Sequence, residues 1–188
     1  MCIRDRNILP PGVERHVVNA GGLTGLQIFP DDEIEIINDE GNQICEIICF
    51  DKDGKSELAI LNLKENSNKS FIKEILKKKD ESSLATNFQL KKRNLDLNKS
   101  HSSILFDEKT PSGEKIKLKS KDKCYVIFSA PQNDMLVSEQ NPSGDLILFI
   151  KRAKITNDKE LSIIPDPVFE PHYEKNIDRQ TAISFQVK

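Results

Sequence analysis

Seven short runs rich in β-branched and aromatic residues, each closed by turn chemistry, constrain this chain more than any other feature. They are VERHVV (13–18), LQIF (26–29), EIEII (33–37), ICEIICF (44–50), KIKL (115–118), CYVIF (124–128) and LILFI (146–150). Between them stand PDDE (30–33), NDEGN (38–42), DKDGK (51–55), PSGE (111–114) and NPSGD (141–145), which favour tight reversals. Strands rarely alternate with helices here, so the pattern predicts a mainly β fold, an antiparallel barrel or sandwich. One peripheral helix is expected between about Lys69 and Lys79, where Phe71, Ile72, Ile75 and Leu76 share a face. A shorter helical turn is expected near 56–63.

The 188 residues suffice for one domain with a real core. Residues 13–153 are read as that domain. The twelve before it open on MCIRDR, which leads into no periodic pattern; they are expected to be a sequencing-adaptor remnant or disordered. After Ala153 the texture changes, and Pro165, Pro167 and Pro171 interrupt any ladder, so 154–180 is read as a linker. The last segment, TAISF (181–185), matches TGLQI (24–28) in pattern, and 181–188 is expected to begin a second, truncated copy of the domain.

Net charge is −2, so no global field favours nucleic acid or a membrane surface. Locally the balance is uneven: residues 31–57 hold ten acidic residues and two Lys, residues 64–123 sixteen basic and nine acidic. Solvated faces explain such runs best, and the Lys clusters lack the aromatic interleaving of a single-strand binder. No apolar run has the length of a membrane span and no signal-type segment opens the chain, so reduced thiols in a cytoplasmic protein are expected.

The four Cys hold no CxxC pair. Cys45 and Cys49 fall on one strand face about 13 Å apart, too far to share a zinc whose Zn–S bonds are about 2.3 Å. Buried, unreactive thiols are expected. His16 lies in the first strand and His172 in the linker. His101, in SHSS, lacks the orienting group and oxyanion hole that Ser102 or Ser103 would need as a nucleophile. In DKDG (51–54) Gly comes too early for a calcium loop, and a hairpin turn fits instead. In SAPQNDM (129–135), Pro131 ends an apolar strand, and Gln132, Asn133 and Asp134 are placed on a sheet-end loop, where binding groups concentrate.

Three segments, LQIFPDDEIEIIN, GNQICEIICFDKDGKSE and SAPQNDMLVSEQNPSGDLILFIKRA, give residues 20–153 a resemblance to the urea-carboxylase-associated family of domains. The likeness is strongest to the version placed ahead of folate-dependent aminomethyltransferases related to the glycine-cleavage T-protein. The family's spacing of Gly, Gln and an acidic residue falls on Gly41, Gln43 and Glu46. On a strand Glu46 points with Ile44, Ile48 and Phe50, and a carboxylate there needs a partner or water. The resemblance implies a non-catalytic module that docks the downstream domains of the same chain, or binds a small amine near Gln43, Glu46 and the loop of Gln132, Asn133 and Asp134. No catalytic residue, metal or cofactor is implied within these residues. Tetrahydrofolate is implied for the parent enzyme. The alternative expectation is a metal-dependent hydrolase or deiminase acting on small amidino or carbamoyl nitrogen compounds.

Overall fold

Alternation decides the first sheet. In β3 (Glu33–Asn38) Ile34 and Ile36 are fully buried while Glu33 and Glu35 look outward. Its neighbours β6 (Glu114–Lys119) and β8 (Leu146–Lys151) repeat the pattern, and β1 (Val13–Val18) closes the far side in the order β1-β8-β3-β6. The second sheet runs β5-β4-β7-β2-β9, from β5 (Ser102–Phe106), β4 (Cys45–Asp51), β7 (Cys124–Ala130), β2 (Gly22–Ile28) and β9 (Phe185–Val187). Every pairing is antiparallel. The computed structural model describes residues 9–67, 70–78, 81–132, 143–153 and 185–187. The MCIRDR opening, the proline-rich linker with His172, and Asn133 and Asp134 lie outside the described residues.

The two sheets pack face to face as a sandwich, not a closed barrel. Leu26, Ile28, Ile34, Ile36, Cys45, Ile47, Val126, Phe128, Leu148 and Ile150 fill the space between them. The second sheet is covered on its other face too. There Leu23, Ile48, Phe50 and Ile127 meet Ile72, Ile75, Leu76, Leu90 and Leu95 from the helical segment. Burial on both sides is why ICEIICF reads as an almost unbroken apolar run, whereas EIEII alternates.

The acidic and basic stretches turn out to be partners. On the wet face of the first sheet Glu33 is paired in register with Lys119 and Glu35 with Lys117, and Lys119 Nζ reaches Asp31 at 2.9 Å. Such exposed pairs add little stability. They do place part of each charge run on one solvated face.

Two helices cover the second sheet where one was expected. The first, α1 (Phe71–Leu76), begins after Ser70, whose hydroxyl accepts the Lys73 N–H. The second, α2 (Glu81–Lys92), has no apolar stripe toward the core, so periodicity could not announce it. Its inward residues include Ser83 and Thr86, with Leu90 near its end. Ser83 Oγ donates to the Ile75 carbonyl and Asn87 Nδ2 to the Leu76 carbonyl, so this face serves the open end of α1. The expected helical turn is a 3-10 turn at Leu58–Leu61. DKDG is a hairpin in which Asp51 Oδ1 accepts the N–H groups of Asp53 and Lys55.

Candidate functional site

Glu46 stands near the start of β4, beside an irregularity in the β4–β5 register, on the face that α1 covers. It is fully buried. Its Oε2 accepts the Ile72 backbone N–H at 2.7 Å and the Ser129 hydroxyl at 3.4 Å. Burial raises the carboxyl above its ordinary value; the Ile72 amide and the hydroxyls of Ser70, Ser102 and Ser129 pull it back only in part. A carboxyl in this setting keeps its proton to higher pH than an exposed one. By taking an amide from the first turn of α1, Glu46 fixes where that helix begins.

That placement shapes the surface next to it. Phe71 precedes Ile72, and Ile104 is the β5 partner of Glu46. Together with Ile44, Asp107, Glu108 and Lys109 they line an open depression of about 250 Å³. Its lining is thus three apolar and three charged side chains.

Gln43 is also fully buried, but its amide is spent on the fold. Nε2 donates to the Ile44 carbonyl at 3.0 Å and to the Pro131 carbonyl at 2.9 Å, while Asn38 Nδ2 donates to the Gln43 carbonyl. Among the described residues Gln43 Oε1 has no hydrogen-bond partner. Gly41 has φ +80°, and a Cβ there would lie 2.6 Å from the Ser112 nitrogen. The β4–β7 register sets Glu46 opposite Ser129, and Gln43 holds Pro131, so the QICE and SAPQ segments do come together. Gln132 is exposed beside Gly21.

Cys45, Cys49 and Cys124 are buried free thiols. Burial pushes Cys45 up, and contact with Cys124 together with burial does the same to Cys49, which keeps both thiols protonated. His101 Nδ1 meets Glu65 at 2.9 Å on the surface, whereas Ser102 and Ser103 are buried. Among the described residues no three His, Cys, Asp or Glu side chains gather as a metal site. No helix among them is long and apolar enough to cross a membrane.

A second polar cluster was not legible in the sequence. Arg152 forks onto Glu14 through Nε at 2.9 Å and Nη2 at 3.0 Å, and its Nη1 reaches Asp32 at 2.7 Å and the Gln27 carbonyl at 3.0 Å. His16 adds a contact to Glu14 at 3.1 Å. Burial alone would raise the Glu14 carboxyl, but His16 and Arg152 outweigh it and leave it below the usual range. Asp32 also accepts the N–H groups of Phe29 and Ala153. With every oxygen of both carboxylates engaged, this cluster ties the end of β8 to β1 and to the β2–β3 turn. Only PDDE hinted at it, as a turn; the pairing spans 138 residues and depends on register.

No family profile matches the sequence, and no solved structure matches it. Over 180 residues the chain is 31% identical to the trimethylamine-oxide aldolase of Ruegeria pomeroyi, an alignment that covers 96% of this chain and 23% of that protein. The chain thus spans less than a quarter of the length of the curated relative it matches. The finding overturns the expected parent activity. The relative is named an aldolase, not an aminomethyltransferase, and neither that expectation nor the hydrolase or deiminase alternative stands against it.

Proposed function

We propose that this chain is a β-sandwich module of a longer polypeptide that acts on trimethylamine oxide, and that it offers a seat for a small methylated nitrogen compound. The observation that carries the reading is the identity running along 96% of the chain. The depression beside Glu46 suits the chemistry of such a ligand. Ile44, Phe71 and Ile104 supply apolar surface for methyl groups, and the Lys109 ammonium is a donor for an N-oxide oxygen. Glu46 does not touch the ligand in this account. It is a positioning residue, holding Ile72 and with it Phe71. Three buried free thiols accord with a reducing compartment, and we place the protein in the cytoplasm.

Titration of the purified chain with trimethylamine oxide, followed by two-dimensional amide and methyl NMR, tests the seat. Saturable shifts confined to Ile44, Phe71, Ile104 and Lys109, lost in Phe71→Ala, are expected. Shifts that are absent, or that Phe71→Ala leaves unchanged, would remove the depression from the reading.

A further inference from the structure

Two of the buried thiols form a pair. The β4–β7 register sets Cys49 opposite Val126 and Cys124 opposite Asp51, which makes Cys49 and Cys124 diagonal neighbours on adjacent strands. Both belong to the layer between the sheets, with Ile47, Val126 and Phe128, and there the two thiols meet as hydrogen-bonding partners. Ser120 Oγ stands 3.5 Å from the Cys124 Sγ. Cys45 lies in the same layer but is paired with Phe106. Alanine or valine would fill this part of the core as well. Two thiols in contact add one chemistry that those residues lack, the formation of a disulfide.

The two differ in readiness. The Cys49 thiol and the Ser120 hydroxyl hold the Cys124 thiol below its ordinary value against the opposing effect of burial, whereas Cys49 is held up. Cys124 also lies near the surface in sequence: it opens β7 directly after the exposed residues Lys121, Asp122 and Lys123. We infer that Cys49 and Cys124 are a modification site, a dithiol that hydrogen peroxide converts to a disulfide across β4 and β7. The Cys124 thiolate attacks one peroxide oxygen. The O–O bond breaks, and hydroxide leaves and takes up the thiol proton as water, giving a sulfenic acid. The Cys49 sulfur then attacks the Cys124 sulfur, the S–O bond breaks, and a second water leaves with the Cys49 proton. Two thiols and one peroxide thus become one disulfide and two waters. The bridge encloses α1, α2, β5 and β6 in a single loop. Diagonal neighbours stand wider apart than directly opposite ones, so the bridge draws β4 and β7 together and is of the strained, readily reduced kind. This inference is independent of the ligand seat.

Peroxide treatment of the folded full chain tests it, followed by alkylation of the remaining thiols in denaturant and peptide mass mapping. Cys2 is replaced by Ser throughout, so that Cys45 is the internal control. The expected product is a cross-linked Cys49–Cys124 peptide pair lighter by two hydrogens, with Cys45 alkylated, and reduced glutathione should release it. Cys45→Ala should leave the yield unchanged. Cys124→Ala should abolish the bridge, and Cys49→Ala should stop the reaction at a sulfenic acid on Cys124, which dimedone traps. A folded chain whose three thiols all remain free for alkylation after peroxide would overturn the proposal. So would a bridge that includes Cys45, or one that forms only in denaturant.

Discussion

The carboxylate of Glu46 and the backbone N–H of Ile72 are joined at 2.7 Å across 26 residues of sequence, and through this bond the sheet decides where α1 starts. The bond also keeps an ionisable group in an apolar layer beside Ile48 and Phe50. Its consequences are thermodynamic as well as geometric.

Because burial raises the folded-state pKa of Glu46, its contribution to stability is full below the ordinary carboxyl value and is lost as pH rises through the folded value. Glu46→Gln keeps an acceptor for Ile72 but does not titrate. Its melting temperature should equal that of wild type near about pH 4, close to the ordinary carboxyl value, and exceed it increasingly toward neutral pH. Glu46→Ala should lose about 1–2 kcal/mol at acidic pH, as other lost helix-end acceptors do. Thermal unfolding across pH is the measurement. A gap between wild type and Glu46→Gln that does not change with pH would contradict the argument.

Arg152→Met should be among the most damaging single changes outside the core. It leaves Glu14 and Asp32 facing each other without their cation, a loss of about 3–5 kcal/mol for a broken buried pair. Arg152→Lys should recover only part, because one ammonium cannot fork onto Glu14 and reach Asp32 together. Glu14 has a lowered folded pKa, so its contribution is present above the ordinary carboxyl value and disappears as pH falls through the lowered one. Urea denaturation should show the wild-type advantage over Arg152→Met shrinking in acid.

Gly41 and Gly113 separate two kinds of cost. Both have positive φ, but a Cβ at Gly41 meets the Ser112 backbone while one at Gly113 meets nothing within 4 Å. Gly113→Ala should cost the dihedral alone, about 1–2 kcal/mol. Gly41→Ala should cost clearly more, because the Ser112 backbone must also move. Equal losses in chemical denaturation would show that the Gly41 turn yields without strain.

Most strands were legible because their apolar residues alternate or cluster between turn formers, as EIEII and CYVIF do. The side of β4 that Glu46 takes was legible as well, since it follows from parity with Ile48 and Phe50. Its helix partner was not, because no local pattern ties residue 46 to residue 72. The helix α2 escaped for a related reason: its inward face is built to satisfy the end of α1, so Ser83 and Asn87 stand where a stripe of Leu or Ile would have announced it. Arg152, Glu14 and Asp32 meet only once four elements are in register. Gln43 was read as a ligand-binding candidate; its amide nitrogen donates to two backbone carbonyls and so holds β4 against the exit of β7.

The most direct test of the account is a graft. This chain replaces the matching segment of the Ruegeria pomeroyi protein, and consumption of trimethylamine oxide by the purified chimaera is followed by proton NMR. The account predicts that the chimaera consumes trimethylamine oxide, and that Phe71→Ala within the graft slows it. A folded, soluble chimaera that leaves trimethylamine oxide untouched would contradict the claim that this chain is a module for that reaction.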